Sequence, residues 1–476
     1  KLEKILNSSM FTIETRKNEY KCNILGVFYS SVLREILAKD RKTDHYFYDF
    51  EDENGEFQYI CDIFNFNDFY LNNNNAEIIK VIATDLKIEF LIDNVDNFIS
   101  ETKKQIEIID DYQNMIDAID EIFDLLYHIK ELTVESVAKS IIESNWTKTD
   151  KKIYELAAFI IQVINTSIDL HQYLVDLLAK LNENSNFKKL LPFIINRMMY
   201  FAFSISNNNA LLFVHSLYKN KLIQNDYLIP YLRMYKSNKY FDHSDCNLIL
   251  LFLPELNKID GINNADANDI ENNNSIAKTL CMDDIDTFQS IVSQKESLIK
   301  GKVNRSIYDY FSHNLNQTNY LNYAALHGSI KCFKFLLLND QDIDEYTLKM
   351  SIIGGNNEII RIVYNKIIEI GVDKFYPSIL DALCQTISMH KNDLFDWILE
   401  QNLSFVHDYS KHNRKLFILI EDSIENCNIH SLVQLIDNGA NIQLFSNNFN
   451  NFLSLSIKRG FYSLAIFLIN FLFKNG

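Results

Sequence analysis

Toward the C-terminus, the apolar positions fall into repeated pairs of helical stripes separated by a tight turn. Taking the turn residue as anchor, the anchors are Asp283, Gly328, Gly355, His390, Cys427 and Gly460. Seven residues before each stands Ile276, Leu321, Leu348, Leu383, Ile420 or Leu453. Four before stands a small residue: Thr279, Ala324, Ser351, Thr386, Ser423 or Ser456. Three before stands Leu280, Ala325, Ile352, Ile387, Ile424 or Ile457. Five after the anchor comes Phe288, Phe333, Ile360, Phe395, Leu432 or Ala465, and eight after comes Ile291, Leu336, Val363, Ile398, Leu435 or Leu468. The pattern predicts six helix–turn–helix units, none able to bury its apolar face alone. The small residue lets neighbouring helices approach closely, and the turn suits glycine, which adopts positive φ without steric cost. The anchors lie 45, 27, 35, 37 and 33 residues apart. The 27 implies a trimmed connection, and the 45 an insertion between roughly Glu296 and Asn319.

The first hundred residues have a different rhythm. Phe11–Glu14, Tyr20–Cys22 and Tyr46–Phe50 read as short strands, with Asn54-Gly55 as a turn. Helices are predicted at Val27–Leu37, Phe57–Phe64, Ala76–Leu86 and Ile88–Ile99. Because Phe28 and Tyr29 are consecutive on the first of these, one of them should face outward. A helical stripe then runs through Ile108, Ile109, Tyr112, Met115, Ile116, Ile119, Ile122, Phe123 and Leu126. Its acidic side, Asp110, Asp111, Asp117, Asp120, Glu121 and Asp124, reads as solvated. Ile153–Ile164 and Leu174–Leu181 continue the helical period; Pro192 and Pro230 mark element starts or breaks. Ser204-Ile205, Phe213 and Leu217 echo the repeat around Asn208, so the array could begin early. Gly261–Ser275 is the best linker, and Asn-rich runs at Asn72–Asn75, Asn207–Asn209 and Asn272–Asn274 read as polar loops.

The repeat resembles the ankyrin family. Ala324-Ala325-Leu326-His327-Gly328 is similar to the inner half of such a unit. Asp437-Asn438-Gly439-Ala440-Asn441-Ile442 resembles the family's Gly-Ala-Asp-Ile loop, and Asp340–Asp344 is a weaker copy. The usual Thr-Pro-Leu-His start is absent; Asn319-Tyr320-Leu321-Asn322 keeps only its Leu. The N-terminal order resembles a BTB/POZ domain through Phe11 and Ile13, Ser30-Ser31, the acidic turn before Phe57, and above all Ala83-x-x-Leu86-x-Ile88-x-x-Leu91. The family's Val-His after the second strand is missing, with Cys22-Asn23-Ile24 in its place. The expected fold is mainly α. Residues 1–103 would form a small α+β, BTB-like domain, 104–268 a helical region (BACK-like or early degenerate repeats), and 269–476 about six irregular ankyrin repeats. The arrangement is similar to the BTB–ankyrin families of protists (trichomonad-type). That resemblance implies a scaffold or adaptor. The array's concave face and loop tips would hold a client protein, and the BTB-like part would form a homodimer or recruit a partner. A substrate receptor for a cullin-type ubiquitin ligase is the narrower alternative.

Charge and composition narrow the partners. A net charge of −17 argues against nucleic acid, since phosphate contacts need clustered Lys and Arg. Seven cysteines without a Cys-x-x-Cys pair suit reduced thiols, hence a cytoplasmic or nuclear location. The run Phe461–Phe473 is interrupted by Ser463 and Asn470 and is shorter than a span of ~20 residues, so no membrane span is expected. Little catalytic chemistry stands out. His243-Ser244-Asp245-Cys246 lacks a second ligand pair for zinc. Ile353–Asn357 lacks the Gly-Lys-Ser/Thr of a phosphate loop. His407 and His412 fall in a polar connection, His327 and His390 at repeat turns, and Cys332, Cys384 and Cys427 inside repeats. Trp397 is expected in the core. No catalytic, cofactor-binding or metal-ligating residue is assigned, and no enzyme activity is expected.

Overall fold

A computed structural model describes residues 10–40, 43–67, 71, 75–204, 208–224, 228, 275–293, 300–304, 317–371, 375–402, 414–438 and 442–475. The linker expected at Gly261–Ser275 lies almost wholly outside these residues. So do His243–Cys246, Pro230, His407, His412 and Gly439–Asn441 of the expected repeat loop.

The chain is mainly helical, with a small three-stranded sheet at its N-terminus. Strand β1 (Met10–Glu14) pairs antiparallel with β2 (Glu19–Asn23) and parallel with β3 (His45–Phe47). Phe11, Ile13, Tyr20 and Cys22 alternate inward, the period-two signature of a sheet covered on one face. β3 is shorter than the strand expected over Tyr46–Phe50. Beyond it Asp52 is buried and accepts hydrogen bonds from Tyr20 Oη, Asn18 Nδ2 at 3.0 Å and the Phe57 amide at 3.1 Å. Those bonds turn the chain from the sheet into α3.

The single helix expected over Val27–Leu37 is two: α1 (Ile24–Val27) and α2 (Ser31–Lys39). Ser30 separates them. Its Oγ accepts the Leu33 amide at 3.1 Å as an N-cap and donates to the Leu86 carbonyl at 2.6 Å. Helices α3 (Gln58–Phe64) and α4 (Ala76–Asp85) close the core. Ala83, Leu86, Ile88 and Leu91 are all buried in it.

The helices expected at Ile88–Ile99 and Ile108–Leu126 are one, α5 (Glu89–Tyr127), 39 residues long and continuous through positions 103 and 104. It leaves the N-terminal core at Val95 and enters a second core at Ile108. That core is shared with α6 (Val134–Glu143), α7 (Asp150–Thr166), α8 (His171–Asn182), α9 (Leu190–Ser204) and α10 (Asn208–Lys219), of which α6 and α7 pack on α5. Of these, α7 is buried nearly all round, Glu155 and Gln162 included.

Among the described residues six helical hairpins follow: α11 (Ser275–Cys281) with α12 (Ile285–Val292), α13 (Tyr320–Leu326) with α14 (Ile330–Leu338), and α15 (Thr347–Gly354) with α16 (Asn357–Ile370). Then come α17 (Tyr376–Ser388) with α18 (Asn392–Gln401), α19 (Arg414–Glu425) with α20 (Ile429–Asp437), and α21 (Ile442–Arg459) with α22 (Tyr462–Asn475). The first helices stack on one another in order. The insertion before the second hairpin carries a short antiparallel ladder, β4 (Lys302–Asn304) with β5 (Gln317–Asn319).

All six anchors have positive φ, three of them non-glycine (Asp283 52°, His390 50° and Cys427 55°) and three glycine (Gly328 67°, Gly355 72° and Gly460 92°). At five of the turns the amide after the anchor bonds the carbonyl of the small residue, as in Ser329 to Ala324 at 2.9 Å and Asn428 to Ser423 at 2.8 Å. This is the Schellman closure of a helix end. The small residues are buried, and the hydroxyls of Thr279, Ser351, Thr386 and Ser456 donate to the carbonyl three residues back. A hydroxyl can therefore replace alanine there without an unpaired polar atom.

The residue after the anchor also ties hairpins together. Ser329 donates to the Leu280 carbonyl, Asn428 Nδ2 to Ile387 at 3.0 Å, and Lys391 Nζ to Ile352 at 2.5 Å. In each case the acceptor stands three residues before the preceding anchor.

Candidate partner surfaces

The middle helices are fastened to the array. α5 packs on the second helices α20 and α22, with Tyr112 edge-on to Phe467. Phe159 of α7 stacks on Phe461, with ring centroids 5.9 Å apart. Glu155 accepts from the Ser463 amide at 2.5 Å and its hydroxyl at 2.8 Å, while Lys152 Nζ lies 3.4 Å away. Tyr127 Oη donates to the Ser388 carbonyl at 3.1 Å, and Gln162 Nε2 to Asn426 Oδ1 at 2.5 Å. These contacts reach the turns, the ends of first helices and the second helices, and so lie on one side of the array.

The acidic stripe of α5 is therefore not all solvated. Asp120 turns into this junction, and one of its oxygens is buried without a hydrogen-bond partner. Burial raises its carboxyl to about 6, with His430 pulling the other way. His430 bonds Asp396 at 2.9 Å, which holds the imidazole above its usual value. His390 is half-buried, and its Nε2 donates to the Asn426 carbonyl at 3.0 Å; desolvation lowers it to about 4.

A cleft of about 1170 Å³ opens where the ends of α5 and α7 face the turns of the second to fourth hairpins. Lys391, His390, Arg361 and Trp397 line it with the Lys130–Asp169 ion pair. Trp397 is half-buried here rather than a core residue, and it packs on Tyr364. Burial lowers Lys391 to about 8.

The face made by the first helices carries a second group of charges. Lys349 of α15, Asp381 and Cys384 of α17, and Asp422 of α19 lie within electrostatic reach of one another, with Glu345 and Glu421 beside them. Burial raises the carboxyls of Asp381 and Asp422 and the thiol of Cys384. Cys332 and Cys427 are buried packing residues.

On the N-terminal unit, Phe28 and Tyr29 are both exposed, at 46% and 45%. The expectation that one of them would face outward assumed a helix; the break before Ser30 places both on the α1–α2 corner. Tyr29 meets Phe90 edge-on at 5.1 Å and Phe66 at 6.1 Å, and Leu25, Phe66 and Phe90 are exposed as well. Gly26 makes the corner possible: a Cβ there would strike the Phe64 carbonyl. The sequence pattern pointed to Phe28 and Tyr29 but not to Phe66 and Phe90, which come from the turn after α3 and from α5. The positive φ of Phe66, 60°, is the local sign of that turn.

Among the described residues, no group of three or more His, Cys, Asp or Glu side chains could hold a metal ion, and no single helix is long and apolar enough to cross a membrane. Compared with family models, curated proteins and solved structures, the chain has no match.

Proposed function

We propose that this chain is a non-enzymatic interaction scaffold, with a client held on the first-helix face of the array and a partner, or a second copy, on the N-terminal aromatic patch. The observation that carries this reading is the one-sided fastening of the middle helices. They cover turns and second helices, so among the described residues the face bearing Lys349, Asp381 and Asp422 stays available. Stacked hairpins of this kind present an extended surface that no single unit could offer. The acidic excess of that face and of the whole chain favours a basic protein surface as client. The six-anchor register and the Ala83–Leu91 signature support the ankyrin-like and BTB-like readings of the two ends.

The test compares affinity capture from native extract by the full chain and by its Asp381→Lys/Asp422→Lys variant, at low and high salt. The expected result is a set of basic proteins captured by the first, reduced by salt, and lost by the second. An identical capture by both chains would refute the assignment of this face.

A further inference from the structure

Two cysteines of the N-terminal unit come together although 39 positions separate them in sequence. Cys22 is on β2, facing the core, and Cys61 is on α3 beneath it. Both are buried, at 0% and 4% exposure, and their sulfurs are 3.6 Å apart. Cys22 Sγ donates to Cys61 Sγ. A second donor, Asn65 Nδ2, reaches Cys61 Sγ at 3.2 Å. The Asn65 side chain also accepts the Asn23 amide at 2.7 Å and donates to the Lys21 carbonyl at 3.0 Å, so it is held in place over Cys61 at the edge of the unit.

From this arrangement we propose that Cys22 and Cys61 are a redox modification site, closed to a disulfide by a small hydroperoxide oxidant. The Cys22 thiol hydrogen bond is the largest of the influences that lower the Cys61 pKa, against burial, while Cys22 is raised by its bond to Cys61 and by burial. Cys61, whose sulfur accepts hydrogen bonds from Cys22 and Asn65, is the attacking sulfur and Cys22 the resolving one. The Cys61 thiolate attacks one peroxide oxygen, the O–O bond breaks, and the leaving hydroxide takes a proton to become water. Cys61 is left as a sulfenic acid. The Cys22 sulfur then attacks the Cys61 sulfur, the S–O bond breaks, and the second hydroxide takes the Cys22 proton. Two thiols and one hydroperoxide, for hydrogen peroxide, give one disulfide and two waters. Closing the pair brings sulfurs now 3.6 Å apart to a bond of about 2.05 Å.

The position gives the modification a consequence. Cys22 precedes Asn23, the cap of α1, and Cys61 lies one turn before Asn65, which binds that cap residue. α1 carries Leu25, and the α1–α2 corner carries Phe28 and Tyr29, so drawing β2 and α3 together acts on the elements that present the aromatic patch.

The experiment treats the full chain with hydrogen peroxide, quenches it, blocks remaining thiols under denaturing conditions, and maps the peptides without reduction. The expected result is a linked pair of Cys22 and Cys61 peptides that dithiothreitol separates, formed before the exposed Cys281 is consumed. Cys61→Ser should abolish the link, and Cys22→Ser should leave Cys61 as a sulfenic acid trapped by a dimedone-type reagent. The proposal is overturned if Cys281 is oxidised in the wild-type chain while Cys22 and Cys61 remain free thiols. It is equally overturned if Cys61 is oxidised without linking to Cys22. The wild-type map decides this even where a serine variant does not fold.

Discussion

The imidazole of His390 lies against the ring of Phe123, with centroids 3.7 Å apart and planes 23° from parallel. One residue thereby serves three elements. Its left-handed backbone closes the turn of the fourth hairpin, its Nε2 reaches the Asn426 carbonyl of the next hairpin, and its ring meets α5. His390 is one of the points at which the middle helices and the array become one core.

That placement predicts a loss of stability in acid. Burial lowers both His390 and His171 to about 4, against 6.5 for the free side chain. Between those values the unfolded chain binds protons that the folded chain refuses, so stability falls as pH drops from about 6.5 toward about 4. Asp120 opposes this in part, since its carboxyl, raised to about 6, keeps a proton that the unfolded chain has released. The contribution of His430, raised beside Asp396, is complete below 6.5 and is lost as pH rises through its higher folded value. His390→Asn, which tolerates the left-handed turn, should flatten the acid limb. Thermal melts from pH 4 to 7 measure it, and a slope equal to wild type would contradict the assignment.

Ala324 is wholly buried on a helix with no exposed residue, between its stacked neighbours. Ala324→Leu should destabilise the chain by about 1–3 kcal/mol through overpacking. Urea unfolding reads this as a lower midpoint, and an unchanged midpoint would mean that the helices are not packed closely at this position.

Gly354 and Gly371 separate contact from strain. A Cβ on Gly354 would strike the Ala325 carbonyl of the preceding hairpin, whereas one on Gly371 meets nothing within 4 Å but sits at φ 110°. Gly354→Ala should therefore cost more than Gly371→Ala, for which about 1–2 kcal/mol of left-handed strain is expected. Chemical denaturation of the two variants in parallel gives the order.

Glu155 is a buried carboxylate whose removal leaves the Ser463 amide and hydroxyl without their acceptor. Glu155→Ala should cost about 3 kcal/mol or more, as for other broken buried pairs, and loosen the last hairpin first. Glu155→Gln keeps one acceptor oxygen and should cost less. Hydrogen exchange of α22 is the measurement, and protection lost evenly along the chain would contradict a local fastening.

The aromatic corner predicts self-association. Tyr29→Glu with Phe66→Glu changes two exposed residues and should leave folding within about 0.5 kcal/mol per site. Light scattering of the full chain should show a dimer at micromolar concentration that the double variant lacks. Removing the N-terminal residues as far as Gln105 is a poorer test, because the cut falls inside α5. A monomeric wild type would leave recruitment of a different chain as the role of the patch.

The six turns were legible in the sequence because their physics is local. A left-handed residue, a small residue four before it and an apolar stripe on either side are all set within one hairpin, and each anchor is where the pattern placed it. The burial of Ala83, Leu86, Ile88 and Leu91 was legible for the same reason. Tertiary structure decided whatever depended on a distant partner. Ser30 breaks a helix because its hydroxyl donates to the Leu86 carbonyl, 56 positions away. Asp120 belongs to a solvated stripe on its own helix, and leaves water only because the array packs over it. Cys22 and Cys61 are unremarkable in spacing until β2 and α3 cross. Helical and turn preferences act over a few residues and repeat along the chain, whereas a buried charge, a cap or a thiol pair is created only when two distant segments share one desolvated place.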